Sequence, residues 1–79
     1  MISVLFFGPV AERVGASRLE LEFVPGMRVA DVRALLAPRY PEAFALVSLA
    51  AVNGEHVRDP GFVLSDRAEL VFMSKFSGG

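Results

Sequence analysis

The 79-residue sequence contains no cysteine, no tryptophan and a single histidine. Without cysteine the chain can form neither a disulfide, nor a thiolate metal site, nor a cysteine nucleophile, and we expect a reducing, cytoplasmic setting. A single histidine cannot supply a histidine pair for zinc or a serine-histidine triad with a spare base. We therefore expect no bound metal and no bound cofactor, and we interpret His56 as a surface residue that follows a turn.

Basic runs and long apolar runs are also missing. Eight basic and nine acidic residues give a net charge of -1 and are scattered along the chain, so nucleic acid is not an expected partner. The longest nearly apolar stretch, residues 43–52, is far shorter than the roughly 20 residues of a membrane-spanning helix. Hydrophobic residues still make up 53% of the chain, which indicates either an aliphatic-rich core or an apolar surface that a partner protein covers.

The pattern of apolar residues predicts one small domain of strands and a single main helix. Apolar residues at helical spacing predict the main helix over residues 29–37, and short helical turns are expected at 10–14 and 42–46. Asn53-Gly54 is typical of a two-residue type I′ hairpin turn. Runs of apolar, β-branched and aromatic residues between turn residues predict strands at 2–7, 19–23, 49–52, 55–58 and 68–73. We expect the strand at 2–7 to be central and covered on both faces.

The predicted order is two strands, a helix, then two or three strands. A helix laid across one face of a mixed sheet buries its apolar stripe, and joining two hairpins through that helix lets the first and last strands lie side by side. This arrangement is the β-grasp, or ubiquitin-like, α+β fold. The domain is expected to span residues 1–73, with residues 74–79 as a flexible tail that leaves from the middle of the sheet.

The C-terminus is the remaining candidate for chemistry, because no serine has a G-x-S-x-G context and no glycines have phosphate-loop spacing. Gly78 and Gly79 carry no β-carbon, so the backbone can thread into a narrow site beside ATP, where the Gly79 carboxylate would become an acyl-adenylate. Sulfur placed on that carbon gives a thiocarboxylate, a nucleophile that needs no cysteine. The alternative is that the glycines arose by chance or from an engineered linker.

Large apolar residues near the tail are candidates for a docking face, because such side chains form interface hot spots when a partner desolvates them. We expect Phe7, Met73, Phe76 and Ser77 to contact a partner. Phe6 and Phe7 should point to opposite faces of the sheet, so at least one of them must face the helix and belong to the core.

Four parts of the sequence point to a known family: the segments 1–8, 10–15 and 49–55 and the ending Ser77-Gly78-Gly79, in this order along the chain. With them the sequence resembles the small subunits of molybdopterin synthase over almost its whole length. Family members commonly have two prolines before the last four residues, whereas Ser74 and Lys75 stand there in this chain.

The resemblance implies the same fold and a function as a sulfur carrier. An adenylating enzyme of the ubiquitin-activating type would use Mg-ATP to adenylate Gly79, and a sulfurtransferase system would replace AMP with sulfide. The thiocarboxylate would enter the large subunit of molybdopterin synthase, expected in a heterotetramer, and donate sulfur to cyclic pyranopterin monophosphate to form the molybdopterin dithiolene. The chain alone would have no activity.

Other functions remain open at this point. A carrier for thiamine, cysteine or transfer-RNA thiolation would use the same terminus. A ubiquitin-like modifier would instead join Gly79 to lysines of other proteins, and a plain interaction module would have an inert tail. These alternatives share the predicted fold and differ in what happens to the terminal carboxylate.

Overall fold

The computed structural model describes residues 1–75 and contains strands and helices in the predicted order. No helix in this range is long and apolar enough to span a membrane. The elements of the described range are β1 (Ile2–Phe6), α1 (Gly8–Val14), β2 (Arg18–Leu21), α2 (Val29–Leu36), α3 (Pro41–Phe44), β3 (Leu49–Val52), β4 (Glu55–His56) and β5 (Glu69–Met73).

Within residues 1–75 the strands form a five-stranded sheet in the order β2-β1-β5-β3-β4. β1 pairs antiparallel with β2 and parallel with β5, while β3 pairs antiparallel with both β4 and β5. The first and last strands are therefore neighbours in the middle of the sheet. This topology is the β-grasp arrangement predicted from the sequence.

The core lies between the sheet and α2, and it is formed by alternate residues of the central strands. Because successive side chains of a strand point to opposite faces, every second residue of β1 and β5 faces the helix. These residues have no exposed surface: Ile2, Val4, Phe6, Leu70 and Phe72. Val29, Val32 and Leu36 of α2 cover them, so the amphipathic helix predicted over residues 29–37 is confirmed.

Three phenylalanine rings, Phe6, Phe44 and Phe72, pack together in the core. The ring centroids of Phe44 and Phe72 are 5.1 Å apart, and Phe6 lies 6.3 Å from Phe44 and 6.4 Å from Phe72. Two of the three contacts are edge-to-face, a favourable geometry for aromatic pairs. This phenylalanine cluster ties α3 to the two central strands, including the strand from which the C-terminus leaves.

Helix α1 is longer than the single turn predicted at residues 10–14, because it begins at Gly8. Gly8 has a φ of 55°, which a residue without a β-carbon adopts readily, so the chain can turn sharply out of β1. Gly15 ends the helix with a φ of 84°, as predicted. Val10 is fully buried in the core and α1 packs against α3. These tertiary contacts stabilise a helix that is longer than the local sequence pattern predicts.

The hairpin predicted at Asn53-Gly54 is confirmed, with φ values of 51° and 86° at the two turn residues. The Asn53 side chain also accepts a hydrogen bond from the Glu69 N–H at 3.0 Å, which links the turn to β5. β4 is shorter than the predicted 55–58 because the chain then bends toward α2. There Pro60 O accepts the Ala30 N–H at 2.9 Å.

The turn before β5 is closed by the N-terminus. The α-ammonium group of Met1 donates to Asp66 Oδ1 at 3.1 Å, and this hydrogen bond lowers the pKa of the Asp66 carboxyl. A carboxyl group whose pKa is lower in the folded than in the unfolded protein stabilises the folded state at a pH above its ordinary pKa of about 4. This stabilisation is lost as the pH falls through the lowered pKa of the folded state. Both groups are exposed, so the contribution of this pair is small.

Candidate functional site

The sheet face opposite α2 carries an apolar surface at the end where the chain leaves β5. After Glu69 the residues of β5 are apolar on both faces: Leu70 and Phe72 enter the core, while Val71, which is also buried, and the partly buried Met73 lie on the opposite face. The register places Val71 beside Leu5 of β1, and Met73 beside Leu49 of β3. We call Leu5, Phe7, Leu49, Val71 and Met73 the outer apolar face.

Polar side chains border the outer apolar face on the β2 side. Arg18 Nη2 donates to Glu20 Oε1 at 2.9 Å and to Ser3 Oγ at 3.0 Å. Ser3 and Leu5 are alternate residues of β1 and so share a face. An apolar centre with a polar rim is typical of a protein–protein interface.

The two predicted docking residues in the described part of the chain both lie on this surface. Phe7 directly follows β1 and is 49% exposed, whereas Phe6 has no exposed surface and belongs to the core. The prediction that the two rings point to opposite faces is confirmed. Met73 is the last residue of β5 and is partly buried. The structure therefore brings Phe7 and Met73 to the same end of the sheet, and their contact with a partner stays a prediction.

Sequence reasoning missed the other members of the outer apolar face. The prediction that the strand at residues 2–7 is covered on both faces is wrong, because the described helices cover only one face and Ser3 and Leu5 are half-buried on the other. Leu49 is 36% exposed. The available signal is that both alternating faces of β1 and β5 carry large apolar residues, such as Leu5 and Met73, while the sequence predicts a single main helix, which can cover only one face of the sheet.

The base of the tail is attached to the domain through Ser48. The Ser48 N–H donates to Met73 O at 3.0 Å, and the Ser48 hydroxyl accepts the Lys75 N–H at 3.0 Å. Ser74, between them, is buried. These two hydrogen bonds of Ser48 therefore set the direction in which the chain leaves β5. Ser74 and Lys75 occupy the positions where two prolines are common in the family that the sequence resembles.

The predicted reacting residues lie beyond the part of the chain that the structure describes. Among residues 1–75 no group of three or more His, Asp or Glu side chains could hold a metal ion. His56 is exposed on β4, two residues after the Asn53-Gly54 turn, and so is a surface residue that follows a turn, as predicted. The predictions made for Phe76, Ser77, Gly78 and Gly79 fall outside the described residues and stay predictions.

A mixed sheet with its main helix packed on one face, and with the first and last strands paired side by side in its middle, defines a ubiquitin-like β-grasp protein. The chain belongs to the ThiS family, whose model matches residues 4–79. No curated protein matches the sequence.

Several solved structures are similar to this one. SAMP1 from Haloferax volcanii is 20% identical over 99% of this chain and 98% of that chain, with a TM-score of 0.80. A protein assigned as molybdopterin converting factor, subunit 1, from Pyrococcus furiosus is 22% identical over 92% of this chain and 94% of that one, with a TM-score of 0.79. Urm1 from Trypanosoma brucei is 23% identical over 99% and 94% of the two chains, with a TM-score of 0.75. At these identities the likeness shows the fold.

Proposed function

We propose that this chain is the sulfur-carrier subunit of a molybdopterin synthase, with Gly79 as its reacting residue. The observation that carries the proposal is membership of the ThiS family in a chain that ends in Gly78-Gly79 just beyond a central strand. A similar structure assigned as a molybdopterin converting factor subunit supports this choice of pathway.

In the proposed reaction the Gly79 carboxylate attacks the α-phosphorus of ATP and releases pyrophosphate. A sulfide equivalent from a sulfurtransferase then displaces AMP from the acyl-adenylate and leaves a thiocarboxylate. Transfer of that sulfur to cyclic pyranopterin monophosphate, followed by hydrolysis, returns the carboxylate. Mg-ATP belongs to the adenylating partner, and the carrier itself binds no cofactor.

The outer apolar face is the proposed docking surface for the large synthase subunit. Phe7, Leu49 and Met73 lie at the end of the sheet from which the tail leaves. The four residues after Lys75 can extend about 13–14 Å, far enough to enter a cleft of a partner that sits on this surface. Docking and delivery of the terminus then use one end of the molecule.

Intact mass measured after incubation with Mg-ATP, an adenylating enzyme and a sulfur source tests the chemistry. We expect the mass to rise by the difference between one sulfur and one oxygen atom, and we expect the charged carrier to form the dithiolene when the large subunit and the pterin precursor are added. A carrier that gains sulfur but serves only thiamine, cysteine or transfer-RNA thiolation would overturn the molybdopterin assignment.

A second candidate function is that of a protein modifier. It is favoured by the similarity to structures described as small archaeal modifier protein 1. In that function the activated Gly79 carbon forms an isopeptide bond with a lysine amine, and AMP or an enzyme thiol leaves. The same mass measurement separates the two, because modification yields protein adducts of much higher mass.

Replacing Phe7 by aspartate tests the docking surface. Phe7 is half exposed, lies outside the core cluster and has an extended backbone that aspartate adopts without strain. We expect Phe7→Asp to weaken binding to the large subunit by about tenfold or more, as for an interface hot spot, with little change in thermal midpoint. Binding measured by calorimetry and unfolding measured by circular dichroism check both parts.

The matched control is Phe62→Asp. Phe62 is 42% exposed, and its carbonyl accepts the Val29 N–H at the start of α2, on the helix side of the sheet. This substitution adds the same charge away from the outer apolar face and should leave binding unchanged. Equal losses of binding in both variants would show that docking does not depend on the outer apolar face.

A further inference from the structure

The longer of the two edges of the sheet described for residues 1–75 belongs to β2. The opposite edge strand, β4, contains only Glu55 and His56, whereas β2 is four residues long. Leu19 and Leu21 of β2 pack against the core but are only partly buried. An edge strand presents N–H and C=O groups to which a further strand can be added. The β2 edge is therefore a candidate surface for pairing with another chain.

The backbone groups that face this edge belong to Arg18 and Glu20. The Phe6 N–H donates to Ser17 O at 3.0 Å, so these two residues form a hydrogen-bonded pair between the two neighbouring segments. Hydrogen-bonded and non-hydrogen-bonded pairs alternate along an antiparallel ladder, which makes Leu19 the next residue of β2 that bonds to β1. The N–H and C=O groups of Arg18 and Glu20 therefore point away from β1. Within the described part of the chain, no backbone hydrogen bond outside the strand ladders involves them.

The charges along this edge fit a second copy of the chain in one register. Arg18 and Glu20 are alternate residues of β2 and share a face, where their side chains approach to 2.9 Å. In an antiparallel pair of β2 strands with a two-fold axis at Leu19, Arg18 of each copy lies opposite Glu20 of the other. The two Leu19 side chains then meet on the core side. Moving the axis to Arg18 or to Glu20 places like charges opposite each other, which destabilises the pairing.

We propose that two copies of the chain form a symmetric dimer through their β2 strands, with the two-fold axis at Leu19, so that their five-stranded sheets join into one continuous sheet. Each pair of Arg18 with Glu20 of the second copy exchanges two backbone hydrogen bonds, because the backbone groups of both residues already face the edge. Such an interface uses the same surface on both copies and is closed.

The dimer is independent of the proposed sulfur chemistry. Two-fold symmetry makes the two β5 strands antiparallel, so their C-terminal ends lie at opposite ends of the joined sheet. The added contacts lie along β2, so the outer apolar face of each copy remains open to the large subunit. Because the interface is small, the dimer is weak and forms at high protein concentration.

A single cysteine at the axis tests the register. In the otherwise cysteine-free chain, Leu19→Cys places two thiols at a non-hydrogen-bonded pair, where the Cα atoms are about 4.5 Å apart and within the range of a disulfide. We expect this variant, concentrated and treated with diamide as oxidant, to form a covalent dimer on a non-reducing gel.

The matched control is Leu21→Cys, on the same face of the same strand and also partly buried. In the proposed register its two thiols are separated by about 13 Å along the strands, so it should remain monomeric under the same oxidation. Equal cross-linking of the two variants, or none with Leu19→Cys, would overturn the proposal.

Charge reversal tests the complementarity without a cross-link. Arg18→Glu turns both opposite-charge pairs into like-charge pairs and should raise the dissociation constant of the dimer about tenfold or more, as measured by sedimentation equilibrium. The double variant Arg18→Glu/Glu20→Arg restores opposite charges and should recover the dimer. Both side chains are exposed, so circular dichroism should show an unchanged fold.

The control for charge reversal is Arg13→Glu, which changes an exposed charge of α1 instead of β2 and should leave the dissociation constant unchanged. Equal dissociation constants for Arg18→Glu and this control would contradict the proposal. An unsubstituted chain that stays monomeric at high concentration would also overturn it, and would leave the β2 edge to a strand of a different protein.

Discussion

Deleting Gly79 should abolish sulfur transfer and leave the fold intact. The deletion moves the terminal carboxyl carbon back by one residue, about 3.5 Å along an extended chain, and a positioned reaction does not tolerate such a displacement. The core cluster is formed entirely by residues 2–72, so the thermal midpoint should not change. Sulfur incorporation measured by intact mass, with the activating components in excess, gives the result.

Adding one residue after Gly79 is the complementary variant. It displaces the activated carbon in the opposite direction and brings a side chain into the narrow site, so activity should again be lost. Binding to the large subunit should weaken only modestly in both variants, because the outer apolar face lies upstream of the tail. Full sulfur transfer by either variant would refute Gly79 as the chemical site and favour an interaction module.

Replacing Phe72 by alanine should have the largest effect on stability of any single substitution that we predict. Phe72 has no exposed surface and contacts both other rings of the phenylalanine cluster. Phenylalanine-to-alanine changes in cores cost about 3–5 kcal/mol of the free energy of unfolding, and a whole domain has about 5–15 kcal/mol. Urea denaturation followed by circular dichroism should show a fall of this size in the free energy of unfolding.

The control for this variant is Phe62→Ala, which removes the same atoms from a side chain that is 42% exposed. We expect the loss there to be about 1 kcal/mol or less, since surface substitutions rarely cost more. A comparable loss in the two variants would mean that the phenylalanine cluster does not contribute the expected stability. The comparison matters for function because β5, which contains Phe72, supports the tail.

The high hydrophobic content of the chain has two structural causes rather than one. The inner face of the sheet and α2 form a continuous core, which accounts for part of the 53% hydrophobic residues. The outer apolar face accounts for more, with Phe7 and Leu49 at least one-third exposed. The structure therefore contains both an apolar core and an apolar surface, and the cover of that surface by a partner stays a prediction.

The sequence by itself determined the features that depend on neighbouring residues. Asn53-Gly54 specified the hairpin because few other dipeptides accept positive φ at both turn positions. The 3.6-residue spacing of Val29, Val32 and Leu36 specified α2. The alternation of strands and helix along the chain was sufficient to predict the β-grasp order of the sheet.

Tertiary structure alone decided which surfaces remain open, because burial depends on residues far apart in the chain. Alternation within β5 cannot reveal that helices cover Leu70 and Phe72 while Val71 and Met73 lie on the outer face. Likewise, Ser48 is linked to Lys75, 27 residues later, only because β3 and β5 are neighbours in the sheet. The proposed docking surface and the direction of the tail therefore follow from strand pairing. Pairing brings together segments that are far apart in the sequence, and the local pattern of one segment does not predict which other segment lies beside it.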